Sequence, residues 1–264
     1  MNSEALAHDT WIRTFGSAGG NSGSRARDAF QLVCFPHAGG SASFYFPFAR
    51  ALRPEVELLA VQYPGRQDRW GETCLESVDE FADRVAAVLR EHHRGRRLAL
   101  FGHSMGAAIA FETARRLERE GGPEVVHLFA SGRRAPGVFR PEFVHLRDDD
   151  GLVAELQALS GTDPAVLSDP ELRAVVLPPL RSDYRAIETY RCEPGASVAC
   201  PVTVLTGDAD PRVSPEDARR WEGHTGGAFD LRVLPGGHFY LERERAAVVD
   251  LVRAALRPEL RPVP

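Results

Sequence analysis

Leu98-Ala-Leu-Phe-Gly-His-Ser-Met-Gly-Ala-Ala-Ile-Ala-Phe111, LALFGHSMGAAIAF, sets four apolar residues against a glycine-flanked serine and follows it with an alanine-rich apolar run. The first part reads as a buried strand. In the second, Ala107, Ala108, Phe111, Ala114 and Leu117 recur at helical spacing until Gly121-Gly122-Pro123 stops the pattern. A strand that passes through G-x-S-x-G into a helix predicts a sharp turn, because the residues beside Ser104 must be small for strand and helix to approach. The hydroxyl would then stand over a helix N-terminus, where the backbone N–H of Met105 is free to donate to a developing oxyanion. The motif is short enough to arise by accident, so the rest of the chain decides whether Ser104 is a nucleophile or a small residue in a tight turn.

Upstream and downstream of this stretch, short apolar runs alternate with amphipathic ones from Phe30 onward: FQLVCF, a helix near Ser43 to Leu52, VELLAVQY, a helix near Val78 to Arg90, RLALFG, and, after the serine helix, VVHLFASG. Such alternation signals βαβ units and a parallel sheet, whose ligands bind beyond the carboxyl ends of the strands. Between about Arg134 and Pro194 the rhythm fails, and DDDGLVAELQALSG and SDPELRAVVLPPLRSDYRAIETY read as helices with no strand between them, an inserted helical subdomain. The rhythm resumes with CPVTVLTGDAD, a helix near Pro215 to Trp221, AFDLRVLPGGHFY and a last helix near Arg243 to Leu256. Ahead of all this, Thr10 to Phe15 forms a short possible strand, followed by a Gly/Ser-rich flexible loop over 16–28; the tail RPELRPVP is expected to be exposed and loose.

Composition narrows the function. A chain of 264 residues with 43% hydrophobic and 26% charged residues is an ordinary globular protein, near the upper limit for one domain. A net charge of −5 gives no reason to expect nucleic acid or an anionic membrane. Every basic side chain among the 32 Lys+Arg is arginine, which excludes a Schiff-base lysine. MNSEALAHDTWIRTF has no basic segment leading into an apolar run and no segment approaches the length of a membrane span, so a cytoplasmic location is expected. Cys34, Cys74, Cys192 and Cys200 are dispersed without a C-x-x-C pair and read as reduced thiols, not as a disulfide framework or metal site.

A serine is a poor nucleophile until a base takes its proton, so a nucleophilic Ser104 requires a later histidine and a carboxylate. His238 follows a predicted strand in LPGGHFY, where Gly236 and Gly237 permit a turn back over the sheet. VTVLTGDADP offers Asp208 and Asp210 beyond another strand; Asp210 is preferred by analogy with the G-x-x-D pattern of α/β-hydrolases, with Asp208 as a turn residue. The order Ser, Asp, His is the order of that fold. The second oxyanion donor is expected from FPHAGGS, the loop after an early strand. There Pro36 lacks an N–H, and the amide of Ala38 or Gly39 is left to point inward, Ala38 being the candidate. His37 and His103 read as packing or hydrogen-bonding neighbours, and Arg66 as either a support for a loop near the entrance or a surface ion pair.

Together FPHAGGSASFY, VQYPGRQDR, FGHSMGAAIAFE, TGDADP and GGHFYL resemble the type II thioesterases associated with modular polyketide synthases and nonribosomal peptide synthetases, over about Leu32 to Leu256. The resemblance implies an α/β-hydrolase fold with a mostly parallel central sheet, helices on both faces and a helical lid. It also implies a discrete hydrolase that removes stalled or incorrect acyl groups from the phosphopantetheine thiols of carrier proteins, without metal or other cofactor. The domain expectation is a core in two parts, 1–133 and 195–264, separated by a lid insertion at 134–194. Leu152, Leu156, Leu159, Leu177 and Leu180 would pack the lid, and Arg133, Arg134 and Arg140 are candidate rim charges for an acidic carrier. A carboxylesterase acting on small oxygen esters, or a silent carrier-binding module, are the competing readings.

Overall fold

The structure is a computed structural model that describes residues 8–15, 29–159 and 169–260; the expected flexible loop at 16–28 and the end of the tail lie outside the described residues. Among the described residues, seven strands form one sheet in the order β1-β3-β2-β4-β5-β6-β7. They are β1 (Ile12–Thr14), β2 (Phe30–Phe35), β3 (Val56–Val61), β4 (Arg97–His103), β5 (Glu124–Ser131), β6 (Val202–Gly207) and β7 (Phe229–Leu234). Of these strands β1 alone is antiparallel, pairing Ile12 with Val61; every other pairing among the described residues is parallel. The first expected strand is therefore shorter than its sequence suggested, since Thr10 and Trp11 belong to a single helical turn, α1 (His8–Trp11).

The two-residue period of the strands sorts their side chains between two cores. Val33 and Phe35 of β2 join Leu98 and Leu100 of β4 on one face, where α3 (Val78–His92) and α4 (Met105–Glu120) supply Phe81, Val85, Ile109 and Phe111. Leu32, Cys34, Ala99 and Phe101 face the other way, against α2 (Phe46–Leu52) and the C-terminal helix. Each fully buried side chain of this size contributes roughly 1.5–3 kcal/mol of transfer free energy. With both faces covered by helices, the strands read as near-continuous apolar runs, as a parallel sheet requires. This is the α/β-hydrolase architecture expected from the sequence.

After β5 the chain leaves the sheet for α5 (Asp149–Leu159) and α6 (Pro170–Thr189) before returning at β6. These helices form a small apolar cluster of their own from Leu152, Leu156, Leu177 and Leu180, joined by Val144 of the turn before α5. The last turns of α6 reach the main core through Ala186 and Ile187. Asp169 caps α6 by accepting from the amides of Glu171 and Leu172, and Pro178 and Pro179 lie inside it. After β6 come α7 (Pro215–Arg219), the turn α8 (Tyr240–Arg243) and α9 (Arg245–Leu256).

Candidate active site

Ser104 stands between β4 and α4 with φ 55 and ψ −118, a conformation that few non-glycine residues adopt. Its flanking glycines are obligatory. A Cβ on Gly102 would lie 2.1 Å from the Gly106 carbonyl oxygen, and one on Gly106 would lie 2.1 Å from that of Phe35. The Ser104 amide donates to the Ser131 carbonyl of the neighbouring strand at 2.8 Å, which fixes the turn to the sheet. Met105 is the first residue of α4, and its amide has no acceptor among the described residues.

The loops after β6 and β7 bring the distant partners to this turn. His238 is 4% exposed, its Nε2 lies 3.0 Å from Ser104 Oγ, and its Nδ1 lies 2.9 Å from Asp210 Oδ2. The Asp210 side chain is fully buried. A carboxylate can only accept, so Nδ1 carries the proton and Nε2 is left to accept from the serine hydroxyl. Asp210 Oδ1 accepts from the Arg212 amide at 2.8 Å, which holds the carboxylate in place. Asp208 does not face His238; its Oδ1 accepts from the Gly236 amide at 2.8 Å and so ties the acid loop to the histidine loop.

On the other side of Ser104, Ala38 lines the same cleft, together with Leu156, Tyr184, Ile187 and His238. Gly39 does not compete for an oxyanion, because its amide donates to Asp183 Oδ2 at 2.7 Å. His37 packs edge-on between Phe44 and Phe239, with ring centroids 4.7 and 4.8 Å away. Burial first, then the charges of His238 and Arg66, push its pKa down to about 3. His103 lies beneath His238, with ring centroids 5.1 Å apart and Nδ1 2.9 Å from Ser131 Oγ; burial holds it well below the ordinary histidine range. Both rings are neutral neighbours of the site at pH 7, not second bases.

Of the three candidate rim arginines after β5, Arg134 is buried, Arg133 is half-buried and Arg140 is exposed. Arg134 is 4% exposed and forks onto Glu142, with contacts of 2.6 and 3.3 Å. Arg140 is exposed but paired with Asp217 at 2.7 Å. Arg133 borders both the Ser104 cleft and an adjoining one lined by Phe139, Tyr190 and Trp221. No carboxylate pairs with it among the described residues, and burial followed by the charge of Arg134 pushes it down to about 10. Arg212, absent from the sequence expectations, joins the acid loop to the helical segment through Glu142 at 2.8 Å and through Glu155. Arg66 is likewise buried, 6% exposed, and not a surface pair.

The chain is 50% identical over 250 residues to the probable cadicidin biosynthesis thioesterase of Streptomyces griseus, a match covering 94% of this chain and 66% of that protein. It is 51% identical over 231 residues to thioesterase PikA5 of Streptomyces venezuelae, covering 88% of this chain and 80% of that protein. The solved structure of the type II thioesterase BorB from the borrelidin biosynthetic cluster superposes with a TM-score of 0.83 at 48% identity, over 96% of this chain and 98% of that chain. Residues 30–256 match the Thioesterase domain family, and the chain belongs to that family.

Proposed function

We propose that this protein is a cytoplasmic editing thioesterase, which hydrolyses acyl groups from the phosphopantetheine thiols of carrier proteins in polyketide or nonribosomal peptide assembly. The observation that carries the chemistry is the unbroken chain of contacts from Ser104 Oγ to His238 Nε2 at 3.0 Å and from His238 Nδ1 to Asp210 at 2.9 Å. Ser104 attacks the thioester carbonyl while His238 takes its proton, and Asp210 stabilises the imidazolium that results. The tetrahedral oxyanion accepts from the amides of Met105 and Ala38. Collapse expels the pantetheine sulfur, which takes the proton back from His238 and leaves as the thiol, with the base restored; sulfur needs little acid assistance because thiols are far more acidic than alcohols. Water activated by His238 then cleaves the acyl-serine, so the cycle draws only on these side chains and amides.

In this reading residues 134–194 are a lid over the acyl cleft, set between the two parts of the core, 1–133 and 195–264. The separate apolar cluster of α5 and α6 supports it. So do the relatives, which are thioesterases of biosynthetic clusters.

The test is hydrolysis of acyl-carrier proteins and acyl-pantetheine against matching oxygen esters, by wild type and Ser104→Ala. Wild type is expected to favour the thioesters and to be labelled by a serine-directed phosphonate at Ser104 alone. Ser104→Ala should fold normally and lose on the order of 10⁶ in kcat. Full turnover by that variant would remove the serine from the mechanism. Preference for oxygen esters would make the protein a carboxylesterase, and carrier binding without turnover would make it a binding module.

A further inference from the structure

Asp183 sits on α6 in the stripe Leu180, Asp183, Tyr184 and Ile187, and its side chain is completely buried. Its Oδ2 accepts from the Gly39 amide at 2.7 Å and from Arg66 Nη1 at 2.6 Å, while its Oδ1 accepts from Arg66 Nη2 at 2.9 Å. The same guanidinium donates from Nη1 to the Gly40 carbonyl and from Nε to the Pro64 carbonyl, each at 3.2 Å. One buried ion pair thus grips three segments: the loop after β2, the loop after β3, and α6. Desolvating two charges costs several kcal/mol per ion, which makes such a pair a weak source of stability. Its specific effect falls on the loop it grips.

Gly39 has φ +75, and a Cβ there would lie 2.9 Å from Leu180 Cδ1, so α6 both receives the amide of Gly39 and covers its α-carbon. Two amides of this loop could serve an oxyanion by sequence. Asp183 engages that of Gly39, and the amide of Ala38 remains beside the Ser104 cleft with no acceptor among the described residues.

We propose that Asp183, oriented by Arg66, is a positioning residue for acyl transfer: by capturing the Gly39 amide it presents the Ala38 amide to Ser104. Because Asp183 is carried by α6, the oxyanion site is complete only while that helix is seated. This rests on the reading of Ser104 as nucleophile and adds a condition to it, namely that covering the cleft and completing the site are one event. An acyl group that kept α6 from seating would be bound but not cleaved, so selection would act on kcat.

The experiment compares wild type with Asp183→Ala in steady-state turnover of an acyl-pantetheine and in the affinity of two ligands. One is an acyl trifluoromethyl ketone, which adds to Ser104 and carries a tetrahedral oxyanion. The other is the matching acyl thioether, which fills the cleft without reacting. Asp183→Ala is expected to lower kcat about 100-fold, the cost of one oxyanion donor, with KM held within about 3-fold. Ketone affinity should fall in the same proportion and thioether affinity should stay. Equal losses on ketone and thioether would make Asp183 a wall of the cleft, and an unchanged kcat would release it from the reaction; either overturns the proposal. Should the alanine variant not fold, Asp183→Asn, which keeps the shape and one accepting oxygen, is held to the same split with a loss of about 10-fold. Wild type that neither turns over nor forms the ketone adduct would instead overturn the assignment of Ser104, and this proposal with it.

Discussion

Asp208 is exposed and Asp210 has a buried side chain, and what their oxygens meet predicts their variants. Asp210→Asn keeps the volume but offers Nδ1 of His238 a donor where it now finds an acceptor. It favours the wrong tautomer, and kcat should fall on the order of 10⁴. Asp208→Asn retains an oxygen for the Gly236 amide and should stay within about 10-fold of wild type, since a single neutral hydrogen bond is at stake. A larger loss from Asp208→Asn, with the fold retained, would exchange the two roles. The buried histidines bear instead on stability. His37 is lowered from 6.5 to about 3 and His103 also lies well below 6.5, so the unfolded chain takes up their protons first as pH falls. Their contribution is therefore complete above about pH 6.5 and is lost toward the folded values, at up to about 1.4 kcal/mol per pH unit for each ring. Urea unfolding at pH 7, 6 and 5 should show this slope, and His103→Asn should reduce it; an unaltered slope would count against the buried neutral ring.

At the scale of the element, the turn at Ser104 works because β4, α4 and the β2 loop meet with no space for a methyl group. Gly106→Ala drives a Cβ into the Phe35 carbonyl, backbone against backbone, and should cost more than about 3 kcal/mol or prevent folding. Gly71→Ala meets nothing within 4 Å and should stay within about 0.5 kcal/mol of wild type, both read from urea midpoints. This turn was legible in the sequence because small residues, strand and helix follow one another within a dozen positions. His238 was legible for a similar reason, marked by glycines after a strand. Asp183 was not, since its partner Arg66 is 117 residues away and no local pattern joins them. A signal existed nonetheless: an aspartate sharing the helical face of Leu180, Tyr184 and Ile187 is an acid on an apolar stripe, and a buried acid requires a partner. Arg134 was misread from the other direction. An arginine just past the end of a strand looks like surface, and only its fork onto Glu142 shows that it is held inward.

Across the whole molecule, the helical segment is fastened to the parts that carry the chemistry at two sides, through Asp183 to the loop of Ala38 and through Glu155 and Glu142 to Arg212 on the acid loop. Both fastenings lie away from the first turns of α6. Pro178 and Pro179 supply no N–H to the carbonyls of Ala174 and Val175, so the helix is weakest between its halves. Ahead of the prolines Leu172 and Val175 are exposed, at 44% and 57%; beyond them Leu180, Asp183 and Ile187 are buried. Amide hydrogen exchange should accordingly be faster over 171–177 than over 180–189, by at least about tenfold for a difference of 1.4 kcal/mol in local opening. Uniform protection along the helix would show that it moves as one body. The two prolines thus divide liberty between the halves of a single helix. Beyond Pro179 a change at Leu180, Asp183 or Ile187 would reach the loop of Ala38 or the wall of the serine cleft, whereas exposed positions ahead of Pro178, such as Leu172 and Val175, could be exchanged and leave the bond-breaking apparatus as it was.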